Sequence, residues 1–315
     1  MREIRQITVI GSGLMGHGIG QVFAQKGHSV TLYDLSFSIL EKALSQIRSN
    51  LEMFLEMGFE TEEGVKKTLS RIRPSVDLQE AVRGSQFIVE AAPENLDLKM
   101  DLFEELDRSV VPEAVLASNT STLPISEFGK KVRRKDRLVV THWFNPPHII
   151  PTVEVVRGES TSQEVFDLTF HLQKKVGKRP IRILREVPGF LINRVQTAML
   201  REVLSLLEAG VAEPEDIDAG VKGSFGLRLA VIGPLATGDM GGLDLWCKGM
   251  RYLYPFLDRS TKVQRVLEQK VERGEFGLKT GKGFFDYDRQ EASALSSQSK
   301  ERDKKLLSLL KALPQ

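Results

Sequence analysis

One cysteine, Cys247, stands in 315 residues, so no disulfide can close within a chain, and neither a CxxC pair nor a Cys/His cluster is present to hold a metal. A reducing compartment, a metal-free site and a packing role for Cys247 are the expectations. Neither sign of charge prevails: 44 Lys+Arg face 42 Asp+Glu, too even a balance to build a field for nucleic acid. The basic run KKVRRKDR at 130–137 reads as a solvated turn. No apolar run approaches the roughly 20 residues of a bilayer span, and MREIRQITVIG enters a strand with no signal-peptide core. A cytoplasmic protein without a membrane partner is expected. Low-complexity tracts and internal repeats are missing too. What remains is ordinary globular composition, 41% hydrophobic and 27% charged, at a length that suits two domains with a core each.

Short β-branched runs alternate with amphipathic stretches as far as Leu184: ITVIG, SVTLYD, QFIVEAA, AVLASNT, RLVVTHW, TVEVV and PIRIL. This alternation predicts an α/β fold, a Rossmann-type doubly wound and mainly parallel sheet. Ser36–Arg73 departs from it, carrying two helical periods where one crossover would do, and reads as a protruding helical hairpin. After VPGF the segments turn helix-compatible, giving a Rossmann domain at 1–185 and an all-helical domain at 186–315. The tail ERDKKLLSLLKAL at 301–313 spaces its leucines as a helix docked on its own protein.

The first strand runs into Gly11-Ser12-Gly13-Leu14-Met15-Gly16 and then into a helix, the context that makes GxGxxG a dinucleotide fingerprint. Gly11 permits the turn, Gly13 lets backbone approach a pyrophosphate, and Gly16 lets helix and strand pack while the helix N-terminus faces the anion. Asp34, 18 positions beyond Gly16 at the end of the second strand, would accept bonds from the adenosine ribose and repel a 2′-phosphate. NAD is expected over NADP; the competing role for Asp34 is a helix cap near Ser36. His17 and His28 read as bystanders.

His142 ends one strand segment and Glu154 lies twelve positions on in the next. Alcohol oxidation needs a group that takes the hydroxyl proton as hydride leaves, and imidazole suits that task, with a carboxylate on its other nitrogen to fix the tautomer. Four segments in order, GSGLMGHGI, SNTSTLPI, HWFNPPHIIPTVEVV and VPGFLINR, together with GKGFFDY, resemble the L-3-hydroxyacyl-CoA dehydrogenase family along almost the whole chain. The resemblance implies His142 as general acid/base, Glu154 as its orienting carboxylate, and Ser121 and Asn193 as hydrogen-bond donors to the substrate oxygen. A turn or cap for Ser121 and a helix-surface amide for Asn193 are the plainer alternatives. It also implies that Glu94 and Lys99 in PENLDLK close over the nicotinamide, against an exposed charge pair, and that the hairpin grips CoA, with Lys67 as the contact. A homodimer through the helical domain and an acyl-CoA substrate follow from the same likeness; His148 and His171 receive no role.

The match departs in two places. Many relatives acting on acyl-CoA carry a lysine between the histidine and glutamate, where this chain reads Ile149-Ile150-Pro151-Thr152-Val153. GLRLAVIGPLATGDMGGLD at 226–244 is closer to relatives that act on free carboxylates, such as L-gulonate or pyridine-carboxylate dehydrogenases, and there Arg228 would pair a carboxylate or sit in a surface ion pair. A 6-phosphogluconate-type enzyme would need a lysine in GFLINRVQ, which has none. A non-catalytic NAD-binding protein would be free to lose His142, Glu154, Ser121 and Asn193, and this chain keeps all four.

Overall fold

All seven β-branched runs form strands in the computed structural model, which describes residues 3–287 and 292–313. The strands are β1 (Gln6–Ile10), β2 (Ser29–Tyr33), β3 (Ile72–Ser75), β4 (Phe87–Glu90), β5 (Val115–Ser118), β6 (Leu138–Trp143), β7 (Thr152–Val156) and β8 (Arg179–Ile183). They make one sheet in the order β3-β2-β1-β4-β5-β6-β7-β8. Every pairing is parallel except β6 with β7. Strand β3 is the one that the pattern hides: its four residues, IRPS, include Pro74, tolerated because the strand lies at the sheet edge.

Helices cover both faces: α1 (Gly16–Gln25), α2 (Phe37–Glu56), α3 (Glu62–Ser70), α4 (Leu78–Val82), α5 (Leu96–Ser109), α6 (Ile125–Phe128) and α7 (Gln163–Lys175). One buried cluster packs Val9, Phe23, Trp143 and Phe166 on one side of the sheet. The other packs Ile88, Phe103, Phe128 and Val140 on the opposite side. The hairpin of α2 and α3 forms where the helical periods place it. Ser36 accepts the Ile39 N–H and Thr61 the Gly64 N–H, so each helix begins on a side-chain cap.

Strand order reverses between β1 and β4, and doubly wound sheets hold ligands beyond the carboxyl ends of strands at such a switch point. The loops after β1, β4, β5 and β6 all leave that end.

Two compact units divide at Asn193 and Arg194, where the sequence places the change of character at 185/186. The first unit extends further because the Leu191 and Ile192 N–H groups bond Glu154 on β7. The second unit is helical: α8 (Ile192–Glu208, whose first two residues belong to the first unit), α9 (Pro214–Val221), α10 (Leu227–Leu229), α11 (Pro234–Gly241), α12 (Leu243–Leu253), α13 (Arg265–Glu272) and α14 (Ala292–Ala312). Two isolated bridges, Gly277 with Lys282 and Lys282 with Asp286, complete it. Leu307 of α14 is buried, as a docked tail requires. Cys247 is exposed on α12, which overturns its packing role: the helix has no buried residue.

Candidate functional site

The glycine turn is built by sterics. Gly11 sits at φ +87, and a side-chain carbon there would lie 2.6 Å from the Ala91 carbonyl oxygen. A carbon on Gly16 would lie 1.7 Å from the Gly11 oxygen, so only hydrogen fits at either position. Gly13 is different: nothing stands within 4 Å of the carbon it lacks. That open approach beside the start of α1 is the cradle a dinucleotide pyrophosphate needs. Leu14 projects into solvent, 70% exposed, and Met15 stands partly buried at the N-cap position of α1 without a side-chain capping bond.

Asp34 is anchored rather than loose, its Oδ2 accepting the Ser12 N–H at 2.7 Å and its Oδ1 the Leu35 N–H at 2.8 Å. It therefore braces the glycine turn while keeping lone pairs for a ribose diol. The helix cap is not its task, because Ser36 fills that position.

His142 and Glu154 are direct cross-strand partners in the antiparallel β6/β7 pair, the one place where the sheet changes direction. Side chains opposite each other in such a pair share a face. Here His142 Nδ1 and Glu154 Oε2 are 2.6 Å apart, both residues buried. The carboxylate's other oxygen accepts the N–H groups of Leu191 and Ile192 at 3.0 and 2.9 Å. Both oxygens of the carboxylate are thus engaged, Oε1 by two backbone N–H groups and Oε2 by the imidazole. Phe144 and Phe190 flank the imidazole, ring centroids 4.6 and 5.7 Å away.

Asn193 and Ser121 are brought together: Asn193 Nδ2 donates to the Ser121 carbonyl oxygen at 3.1 Å. The loop after β5 is held further by Glu94. Its Oε1 accepts the Ser121 and Thr122 N–H groups, both at 3.0 Å, and the hydroxyls of Thr120 and Thr122. Burial pushes the Glu94 carboxyl up, but the Thr120 hydroxyl, the Lys99 charge and Thr122 outweigh it and lower its pKa to about 2.

Lys99 corrects the exposed-pair alternative. Its side chain is buried, and Nζ lies 2.6 Å from Glu90 Oε1 and 3.4 Å from Glu94 Oε2. Glu90, unsuspected in the sequence, also receives the Ser118 hydroxyl and the Ala92 N–H. It closes β4 in an apolar-looking run, where alternation offers no sign of a buried ion pair. Asn119 is a second omission, accepting the Trp143 N–H beside His142 at 2.9 Å. Lys67 and Arg228 are both exposed; Lys67 pairs with Glu63 one turn away. Among the described residues no group of acids, histidines and cysteines could hold a metal, and no helix is long and apolar enough to cross a membrane.

A doubly wound sheet with this glycine turn and a ribose-type carboxylate defines an NAD-binding dehydrogenase. The chain belongs to the 3-hydroxyacyl-CoA dehydrogenase family: residues 6–187 match that family's NAD binding domain and residues 189–287 its C-terminal domain. It is an NAD-dependent oxidoreductase acting on CH–OH groups. It is 34% identical over 310 residues to 5-formyl-3-hydroxy-2-methylpyridine 4-carboxylate 5-dehydrogenase of Mesorhizobium japonicum, covering 98% of each chain. To the probable 3-hydroxybutyryl-CoA dehydrogenase of Bacillus subtilis it is 38% identical over 287 residues, 91% of this chain and 98% of that one. Among solved structures, the pyridine-carboxylate 5-dehydrogenase, described as an NAD+ dependent dismutase, superposes with a TM-score of 0.91 at 33% identity over 98% of both chains. (S)-3-Hydroxybutyryl-CoA dehydrogenase from Ralstonia eutropha gives 0.76 at 34% identity, over 91% of this chain and all of that one.

Proposed function

We propose that His142 takes the hydroxyl proton of an alcohol, or of an aldehyde hydrate, as its carbon is oxidised. The buried His142–Glu154 pair carries this reading. With Nδ1–H given to Glu154, Nε2 is the nitrogen free to accept a proton, and the carboxylate stabilises the imidazolium that results. The Ser121 hydroxyl and the second N–H of the Asn193 amide are the donors for the substrate oxygen. Glu94 and Lys99 hold the Ser121 loop and face the nicotinamide side; Gly11, Gly13, Leu14, Met15, Gly16 and Asp34 receive the dinucleotide. Bound NAD supplies the hydride acceptor.

For the substrate, we infer a compact free carboxylate. The likeness at TM-score 0.91 over 98% of both chains is to a pyridine-carboxylate dehydrogenase. The hairpin also offers polyanionic CoA little attraction: Ser36–Arg73 holds six acidic residues (Glu41, Glu52, Glu56, Glu60, Glu62, Glu63) and six basic ones (Lys42, Arg48, Lys66, Lys67, Arg71, Arg73). Of the basic six, Lys67 and Arg73 are paired with Glu63 and Glu80, and Arg71 bonds the Ala24 carbonyl. A 3-hydroxyacyl-CoA is the second reading, favoured by 38% identity to the Bacillus subtilis protein and by the position of Lys67 on the hairpin. Steady-state assays with NADH decide. Free oxo carboxylates and formyl pyridine carboxylates should exceed acetoacetyl-CoA in kcat/KM by at least about tenfold. The reverse ranking transfers the substrate to the thioester.

A homodimer accompanies this reading. Helix α8 has no buried residue along its 17, and Val195, Met199, Leu206, Leu243, Leu253 and Phe256 are among the apolar side chains that the helical unit leaves exposed. A second copy is the partner proposed to cover them. The lone free Cys247 suits a cytoplasmic protein.

A further inference from the structure

Between β6, which carries His142, and β7, which carries Glu154, residues 144–151 make the only antiparallel connection of the sheet. Three of these eight residues, Pro146, Pro147 and Pro151, have no N–H to give. The carbonyls of Pro147 and Ile150 need donors from elsewhere, and one buried side chain serves both. Lys178, in the turn between α7 and β8 and 7% exposed, places its Nζ 2.6 Å from the Pro147 oxygen and 2.8 Å from the Ile150 oxygen. The same ammonium lies 5.1 Å from the ring centroid of Trp143, the neighbour of His142. A single amine thus touches the strand end next to the imidazole and two points on the connection to the carboxylate's strand.

On its other side the segment meets the helix that follows the glycine turn. A side-chain carbon on Gly18 of α1 would lie 2.7 Å from Pro147 Cγ and 3.2 Å from His148 Nδ1. The segment is therefore wedged between α1 and Lys178, and the ring of its first residue, Phe144, lies tilted against His142.

We propose that Lys178 is a positioning residue: it fixes the 144–151 segment against α1 and thereby sets the orientation of His142 toward Glu154 and the reacting carbon. The inference rests on the reading of His142–Glu154 as the acid/base pair. Satisfying two carbonyls alone would make Lys178 a matter of stability, and burial makes it a costly donor, for it pulls the amine's pKa down to about 7. What marks it as more than a filler is the convergence of its contacts on the two sides of the dyad.

Three variants test this. Lys178→Met keeps the stem and removes the donors; Lys178→Arg restores donors and charge; Gly18→Ala presses the same segment from the opposite side. The readouts are kcat and substrate KM, NADH affinity by fluorescence titration, and the ring signals of His142 in cofactor-free, 15N-histidine-labelled protein. With five histidines in the chain, His142→Gln assigns those signals. Lys178→Met should lower kcat by about tenfold to a hundredfold, with substrate KM and NADH affinity within about threefold. It should also shift the His142 signals, and Lys178→Arg should recover most of the loss. A folded Lys178→Met with wild-type kcat and unmoved His142 signals overturns the proposal. Should Lys178→Met not fold, Gly18→Ala decides: a fall in kcat with shifted His142 signals supports the proposal, wild-type values for both overturn it. If His142→Gln keeps full activity, the dyad falls and this inference with it; if His142→Gln is inactive while Lys178→Met is fully active, only the inference falls.

Discussion

One sheet register places His142, the proposed base, opposite a carboxylate that is bonded on both oxygens. That arrangement makes Glu154→Gln informative. Glutamine can still accept the Leu191 and Ile192 N–H groups through its oxygen, but it then turns an NH2 toward His142 Nδ1. The imidazole must respond by moving its proton to Nε2, the nitrogen meant to be free. Oxidation kcat should fall by about a hundredfold or more while the melting temperature changes little; an unchanged kcat contradicts the tautomer argument. Lys178 should make stability depend on pH. Its folded pKa is depressed to about 7, against about 10.4 in an unfolded chain. Between these values the unfolded state binds more protons, so stability rises with pH across that window. Wild type should gain on Lys178→Met as pH is raised from about 7 to about 10, by at most about 1.4 kcal/mol per unit. Parallel stability curves for the two proteins in denaturant series would contradict the buried amine.

Elements were legible in the sequence where period and chemistry agree. Seven strands, the hairpin and the cofactor turn follow from alternation, caps and glycine spacing, and the antiparallel reversal between β6 and β7 turns the twelve-residue separation of His142 and Glu154 into direct opposition. Four residues of β3 carried no such sign, since a proline in a short run argues against a strand. Glu90, Lys178 and the burial of Lys99, a residue named only through the family resemblance, were hidden for a different reason: these side chains are charged, and charge in a sequence pattern reads as surface. Only the fold shows that these groups are buried with partners. Glu94 gathers the N–H groups of Ser121 and Thr122 and two threonine hydroxyls onto one oxygen, so Glu94→Ala should release the loop from β5 to α6. Amide hydrogen exchange at Ser121 and Thr122 should quicken by about tenfold or more, the equivalent of roughly one lost charge-assisted bond. Exchange at the wild-type rate would show that the loop is held by other means.

At the scale of the whole molecule, the two units differ in how far they bury their own apolar side chains. The sheet unit closes two cores of its own, whereas the helical unit leaves α8, α9, α12 and α13 without a buried residue. Dimensions of that kind predict a mass near twice 35.3 kDa by light scattering at micromolar concentration, and Met199→Asp together with Leu206→Asp should lower it toward one chain; a monomeric wild type contradicts the dimer. Whether the proposed reaction runs through His142 is decided by single-turnover reduction of the wild type's best oxo substrate with NADH, comparing wild type with His142→Gln at saturating NADH. His142→Gln should lower the rate by about a hundredfold to ten-thousandfold with NADH affinity unchanged. A His142→Gln protein that turns over at the wild-type rate, or one that loses its rate only because it no longer binds NADH, would contradict it.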